Sequence, residues 1–258
     1  MERDQLSRLA HADHPIAAPV GDDAVGRLLA HAVPRDGARV LDLGCGGGEW
    51  LLRALAAHPG LRAEGVDVSD AALSHARASA AERGVSGRLV LHREDAADFS
   101  APHAFDLVVC VGSAHALGGL RAALDAARRH LAPGGRVLVG EGYWAREPSA
   151  EAVEMLGDLA SLADTVDRIT ADGWAPVHGH ISSRQELDAY EWAWTGALTT
   201  WALDHADDPD AAQALSVAAG HRDGWLRTYR DAWGFVSLVL RPSPVRGGHH
   251  LPGADPGR

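Results

Sequence analysis

Between residues 38 and 141 the apolar positions alternate between two spacings. Short continuous runs read as strands, and stretches with apolar residues three and four apart read as helices. Arg39–Leu43 is the first strand and Glu49–Ala57 the helix after it, with Leu51, Leu52 and Leu55 on one face. A strand over 63–68, a helix over 70–83 and a strand over 88–92 follow. Phe105–Val111 is almost wholly apolar, as expected of a strand covered on both faces. A helix over 119–131, a turn at Pro133-Gly134-Gly135 and a fifth strand opening at 136–140 complete the series. Such alternation implies parallel strands joined by right-handed crossovers.

The flanking segments have a different character. A helix over 4–12 is broken by the stretch from His14-Pro15 to Pro19, because each proline biases its predecessor away from helix. Asp22 or Asp23 then caps a helix carrying Val25, Leu28, Leu29 and Val33, which ends at Pro34-Arg35-Asp36-Gly37. Beyond residue 142 the pattern predicts a helix over about 149–172 and a strand near 177–182. Helices over about 184–206 and 209–231 follow, then a last strand over 234–241. All but one of the eight tryptophans lie at or beyond Trp144, so this part is organised around large aromatics. The expected architecture is an α/β fold, a doubly wound, Rossmann-like sheet of seven strands with the last antiparallel. It spans 38–241, under a helical cap built from the N-terminal segment 1–37 and the insertion 184–231. The Pro- and Gly-rich tail 242–258 is expected to be disordered.

Composition narrows the partners. A net charge of −11 opposes binding to a phosphate backbone or an anionic membrane surface. No apolar run is long enough to span a bilayer, and the charged N-terminus does not read as a signal peptide. With two cysteines, a disulfide framework is not expected and a cytoplasmic location is. The chain has no lysine and no asparagine, so all 24 basic residues are arginine. Codon bias is the plain explanation, but chemistry that needs either residue is not available.

The candidate chemistry starts at Val40-Leu41-Asp42-Leu43-Gly44-Cys45-Gly46-Gly47-Gly48. A strand ending in a glycine turn that opens a helix brings backbone N–H groups close to a ligand. The dinucleotide fingerprint needs a third small residue for close strand–helix packing, and Glu49 stands there instead. An acidic residue two positions before G-x-G-x-G fits better, and this resembles motif I of class I S-adenosylmethionine (SAM)-dependent methyltransferases. The turn from Leu131 to Leu138 is similar to the family's segment before strand five, so the match runs over about 36–141. The resemblance implies SAM as cofactor, held by Asp42, Gly44, Cys45, Gly46, Asp67, Val68, Asp95, Ala96, Val111 and Gly112. Asp67 would accept the ribose hydroxyls and Asp95 would face the adenine amino group. Asp70 is the better candidate to cap the second helix, which leaves Asp67 free. Cys45 reads as a small turn residue, since no His or Asp spacing supports a nucleophile.

Acceptor chemistry is less legible. The segment from Cys110 to Leu117 lacks the Asn/Asp-Pro-Pro-Tyr of enzymes that methylate exocyclic amines. The carboxylate–Asn–Lys set of metal-dependent relatives is also impossible, so no metal is expected. Gly112-Ser113-Ala114-His115-Ala116, Gly140-Glu141-Gly142-Tyr143-Trp144 and Tyr190-Glu191-Trp192 resemble a largely uncharacterised group of bacterial methyltransferases. Position suggests His115, Glu141 and Tyr143 as catalytic and His14, Trp144 and Trp192 as substrate-binding. His115 serves equally as a helix cap, and Glu141 as a solvated carboxylate. Tyr190, Trp194, Leu198 and Trp201 share one helical face and read as core. The expectation is metal-independent methyl transfer to a small-molecule acceptor (O, N or C), in bacterial specialised metabolism, by a monomer or homodimer. Two alternatives stay open: an enzyme of this fold without methyl transfer, and a SAM-sensing binding protein.

Overall fold

The apolar runs in the middle of the chain become the centre of a seven-stranded sheet. The computed structural model describes residues 1–244. In chain order the elements are α1 (Arg3–Ala10), α2 (Asp22–Ala32), β1 (Arg39–Leu43), α3 (Glu49–Ala57), β2 (Arg62–Asp67), α4 (Asp70–Glu82), β3 (Leu89–Arg93) and β4 (Phe105–Val111). Then come α5 (Leu120–His130), β5 (Leu131–Trp144), α6 (Ala150–Leu156), α7 (Leu162–Ala171), β6 (Trp174–Ile181), α8 (Arg184–Asp204), α9 (Ala211–Gly224) and β7 (Trp233–Pro242). The sheet order is β3-β2-β1-β4-β5-β7-β6, with β7 antiparallel to both neighbours.

Because strand side chains alternate between faces, two cores form. Val40, Leu107, Val109 and Leu138 pack with Leu28, Leu51, Leu55 and Leu73 from α2, α3 and α4. Leu41, Leu43, Val108, Val137 and Val139 pack with Leu124, Ala127 and Ile169 from α5 and α7. The strand order reverses between β1 and β4. In such sheets a crevice opens outside the carboxyl ends of the strands at that point.

The cap forms above this edge. Leu6, Leu9 and Ala10 of α1 pack against Trp194 and Leu198 of α8 and Val217 and Ala218 of α9. Trp144, Ala152, Trp225 and Tyr229 form a second cluster that ties α6 to a π-helical turn, Trp225–Tyr229.

Several boundaries differ from expectation. The helix predicted over 149–172 is two helices. Gly157 leaves α6 at φ +88°, and Ser161 starts α7 by accepting the Asp164 N–H at 3.1 Å. The helix predicted over 209–231 gives way after Gly224 to the π turn. The turn at 133–135 is absorbed into β5 as a register irregularity against β4. The tail expected to be disordered lies, from residue 245 on, outside the described residues. Among those described, no helix is long and apolar enough to cross a membrane.

Candidate functional site

At the end of β1, Gly44, Gly46 and Gly48 have φ of +80°, +51° and +74°. This is the left-handed region, where a side chain costs energy. The N–H groups of Gly44 and Cys45 both donate to the Val66 carbonyl at 2.9 Å. Gly46 N–H donates to Asp67 Oδ2 at 2.7 Å, and Ser69 N–H to Asp67 Oδ1 at 2.9 Å. Asp67 thus braces the loop, yet a carboxylate offers about four acceptor positions and keeps two. Ser69, not Asp70, caps α4: its Oγ accepts the Ala72 N–H at 3.2 Å, and Asp70 is the first helical residue. A Cβ on Gly44 would meet Ser113 at 2.5 Å, whereas one on Gly46 would meet nothing within 4 Å. The loop is therefore pinned at its base and open at its tip. Ser113 Oγ also donates to the Leu43 carbonyl at 2.6 Å, locking the β4 end to the β1 end.

Asp42 lies beneath the loop, only 3% exposed. Its carboxyl group has no hydrogen-bond partner among the described residues. Burial, and then the charge of Asp67, push its pKa up to about 8. Burial also pushes the Cys110 thiol up to about 12 and raises that of Cys45 further, so both thiols stay protonated. Ala96 is buried beside Asp95, whose Oδ1 accepts the Ala97 N–H at 2.9 Å, and Val68 is exposed after β2. Val111 is buried at the end of β4. The next residue, Gly112, has φ +76°, and a Cβ there would lie 2.8 Å from the Ala17 carbonyl oxygen. The segment around Ala17 therefore crosses directly over the β4 end.

The acceptor candidates separate. His115 is exposed on a single 3₁₀ turn, Ala114–Leu117. Glu141 is half-buried at the β5 end, and its Oε2 is buried without a partner among the described residues. Burial pushes its pKa up to about 7, against one hydrogen bond from the Gly142 backbone. Tyr143 packs in the α5–α7 core, and Trp144 in the α6 cluster with its Nε1 unpartnered among the described residues. His14 meets Tyr190 edge-on at 5.3 Å and pairs through Nδ1 with the Ile16 carbonyl at 2.7 Å. Trp192 is 53% exposed, with its ring edge-on to Trp225. It is Tyr190, on the stripe read as core, that turns inward to His14 and His11.

One polar cluster gathers Glu191 with two residues that no motif links to it. Glu191 is buried, accepts the Tyr229 hydroxyl at 2.9 Å, and sits 2.6 Å from His221 Nε2. Trp194 stacks on His221 at 4.0 Å. These residues meet only through packing of α8, α9 and the π turn. Among the described residues, no group of three or more His, Cys, Asp or Glu is placed to hold a metal ion.

Comparison with known proteins gives a consistent answer. Residues 40–135 match the family model described as a methyltransferase domain. The chain is 28% identical over 250 residues to the uncharacterised protein YjhP of Escherichia coli, covering 93% of this chain and 100% of that one. It is 31% identical over 203 residues to nocamycin O-methyltransferase of Saccharothrix syringae, covering 78% and 68%. A SAM-dependent methyltransferase from Geobacter sulfurreducens, solved with S-adenosyl-L-homocysteine (SAH), superposes with a TM-score of 0.85 at 25% identity, covering 92% of this chain and 98% of that one.

Proposed function

Because this chain belongs to the class I SAM-dependent methyltransferases, we propose that it transfers the methyl group of SAM to a small-molecule acceptor at the carboxyl edge of β1, β4 and β5, without a metal ion. The observation that carries this reading is the loop at Gly44–Gly48, open above Gly46 and flanked by an unpartnered buried acid, Asp42.

The residues present fit SAM. An ammonium group would give Asp42 the counter-charge it lacks, and Asp67 keeps acceptor positions for ribose hydroxyls. Gly44, Cys45 and Gly46 would line the amino-acid end. Val68, Asp95, Ala96, Val111 and Gly112 would frame the nucleoside. When bound, SAM supplies a methyl group made electrophilic by its sulfonium. The protein's part is to align an acceptor with that group, exclude water and remove a proton where needed. Glu141 and His115 are the groups we assign to the proton, together with Tyr143, two residues beyond Glu141 on the same face of β5. His14, Trp144 and Trp192 are assigned to the acceptor side. The nocamycin relative supports a small molecule of specialised metabolism as acceptor. The charge of −11 supports an enzyme without a nucleic-acid partner, and two free, buried cysteines support a cytoplasmic one.

The test is SAM turnover by the full chain against a panel of small alcohols, phenols, amines and carboxylic acids, followed as SAH release. Acceptor-dependent SAH formation is expected. SAH binding with no turnover on any acceptor would favour a SAM sensor instead.

A further inference from the structure

On the α5–α7 side of the sheet a cavity of about 300 Å³ opens beside the β5 end. Leu120, Leu124, Leu159 and Ile169 supply apolar wall, and Glu141 supplies a carboxyl group with one oxygen unpartnered. The remaining charges balance: Arg121 and Arg168 are matched by Asp158 and Asp172, and Arg121 lies 3.7 Å from Asp172.

This cavity opens on the strand next to the Gly112 turn, two strands from the cofactor loop. Gly140 is in register with Val111, so Glu141 stands one strand spacing, about 4.8 Å, from the Gly112 turn.

Resting on the methyl-transfer reading, we propose that this cavity holds the acceptor and that Glu141 takes the proton from a neutral hydroxyl group on it, so that the reaction is an O-methylation. A hydroxyl donor satisfies the orphaned oxygen with a charge-assisted hydrogen bond and brings no new charge into the cavity. A cationic amine fits less well. The cavity's own lining has no aromatic residue, since His14, Trp144 and Trp192 lie outside it, so an ammonium ion there would find no ring face, and Glu141 is the one lining carboxylate not matched by an arginine. Burial that lifts Glu141 to about 7 suits a group that gains and returns a proton near neutrality. In the step itself, an acceptor oxygen lone pair forms the bond to the methyl carbon, and the carbon–sulfur pair leaves with sulfur. The hydroxyl proton moves to Glu141. The products are a methyl ether, SAH and a protonated Glu141, which returns its proton to water.

The test uses the full chain saturated with SAH and three probes of equal shape: cyclohexanol, cyclohexylammonium and cyclohexanecarboxylate. Binding is read by ligand-observed NMR. Saturable cyclohexanol binding is expected, weakened at least tenfold in Glu141→Leu, while SAH affinity stays within twofold. Tighter binding of cyclohexylammonium would overturn the hydroxyl assignment. Cyclohexanol binding unchanged in Glu141→Leu, or absent altogether, would overturn the cavity assignment. Failure to bind SAH is seen separately, in the first titration, and would overturn the parent reading together with this one.

Discussion

Asp42 offers a prediction in which cofactor affinity and stability move in opposite directions. Its carboxyl is buried, unpartnered and raised from an ordinary value of 3.8 to about 8. Between those values the folded protein holds a proton that the unfolded chain has lost, so stability falls as pH rises through this range and levels off above it. Each pH unit is worth about 1.4 kcal/mol, and the accumulated penalty at pH 9 is on the order of 5 kcal/mol. SAM carries a cationic amino group and a sulfonium, and ionised Asp42 is their natural partner. Binding therefore expels the proton, and affinity should climb with pH by up to about tenfold per unit until the amino group of SAM itself loses its proton near pH 8. Asp42→Asn removes both effects. Near pH 8 the variant should bind SAM at least tenfold more weakly, and at pH 9 it should melt more than about 4 °C higher than the parent chain. Calorimetry between pH 6 and 9, in buffers of different ionisation enthalpy, reads the affinity and the proton count together. Melting curves at pH 9 read the stability. A flat affinity profile, or a variant less stable than the parent at pH 9, would rule out this role for Asp42.

Other substitutions separate the loop from the scaffold. Gly46→Ala should cost only about 1 kcal/mol for its left-handed backbone, because its Cβ meets open space. Its SAM affinity should nonetheless drop more than tenfold, since that space is the cofactor's. Gly112→Ala should lose about 1–3 kcal/mol, because its Cβ is driven toward the Ala17 carbonyl as well as strained; urea unfolding distinguishes the two variants. Asp67→Ala frees the N–H groups of Gly46 and Ser69 and should weaken SAM and SAH alike by at least tenfold, measured by titration. Tyr229→Phe should cost about 1.5–3 kcal/mol in urea unfolding, since it takes a hydrogen bond from buried Glu191.

The loop was readable because it needs unusual residues at adjacent positions. Three glycines with positive φ, an acid two places earlier and another at the next strand end leave a trace in any single chain. The sheet was readable because Phe105–Val111 and its parallel neighbours alternate with helices of the opposite period. Where two residues of similar propensity compete, sequence decides poorly. Ser69 and Asp70 are both good caps, and only the turn made by Asp67 selects Ser69. The split between α6 and α7 rests on Gly157, a residue that an otherwise helical pattern tolerates. Trp192 lies off the apolar stripe, and the structure leaves it 53% exposed with its ring edge-on to Trp225. The Glu191–His221–Tyr229 cluster joins three distant positions through tertiary packing alone, with no spacing to betray it.

The central claim is that this glycine loop and its two acids hold SAM. A crystal structure of the full chain with SAH tests it most directly. SAH is expected across Gly44–Gly48, its amino group toward Asp42 and both ribose hydroxyls within hydrogen-bond distance of Asp67. Ligand bound elsewhere, or bound here with Asp67 turned away from the ribose, would contradict it.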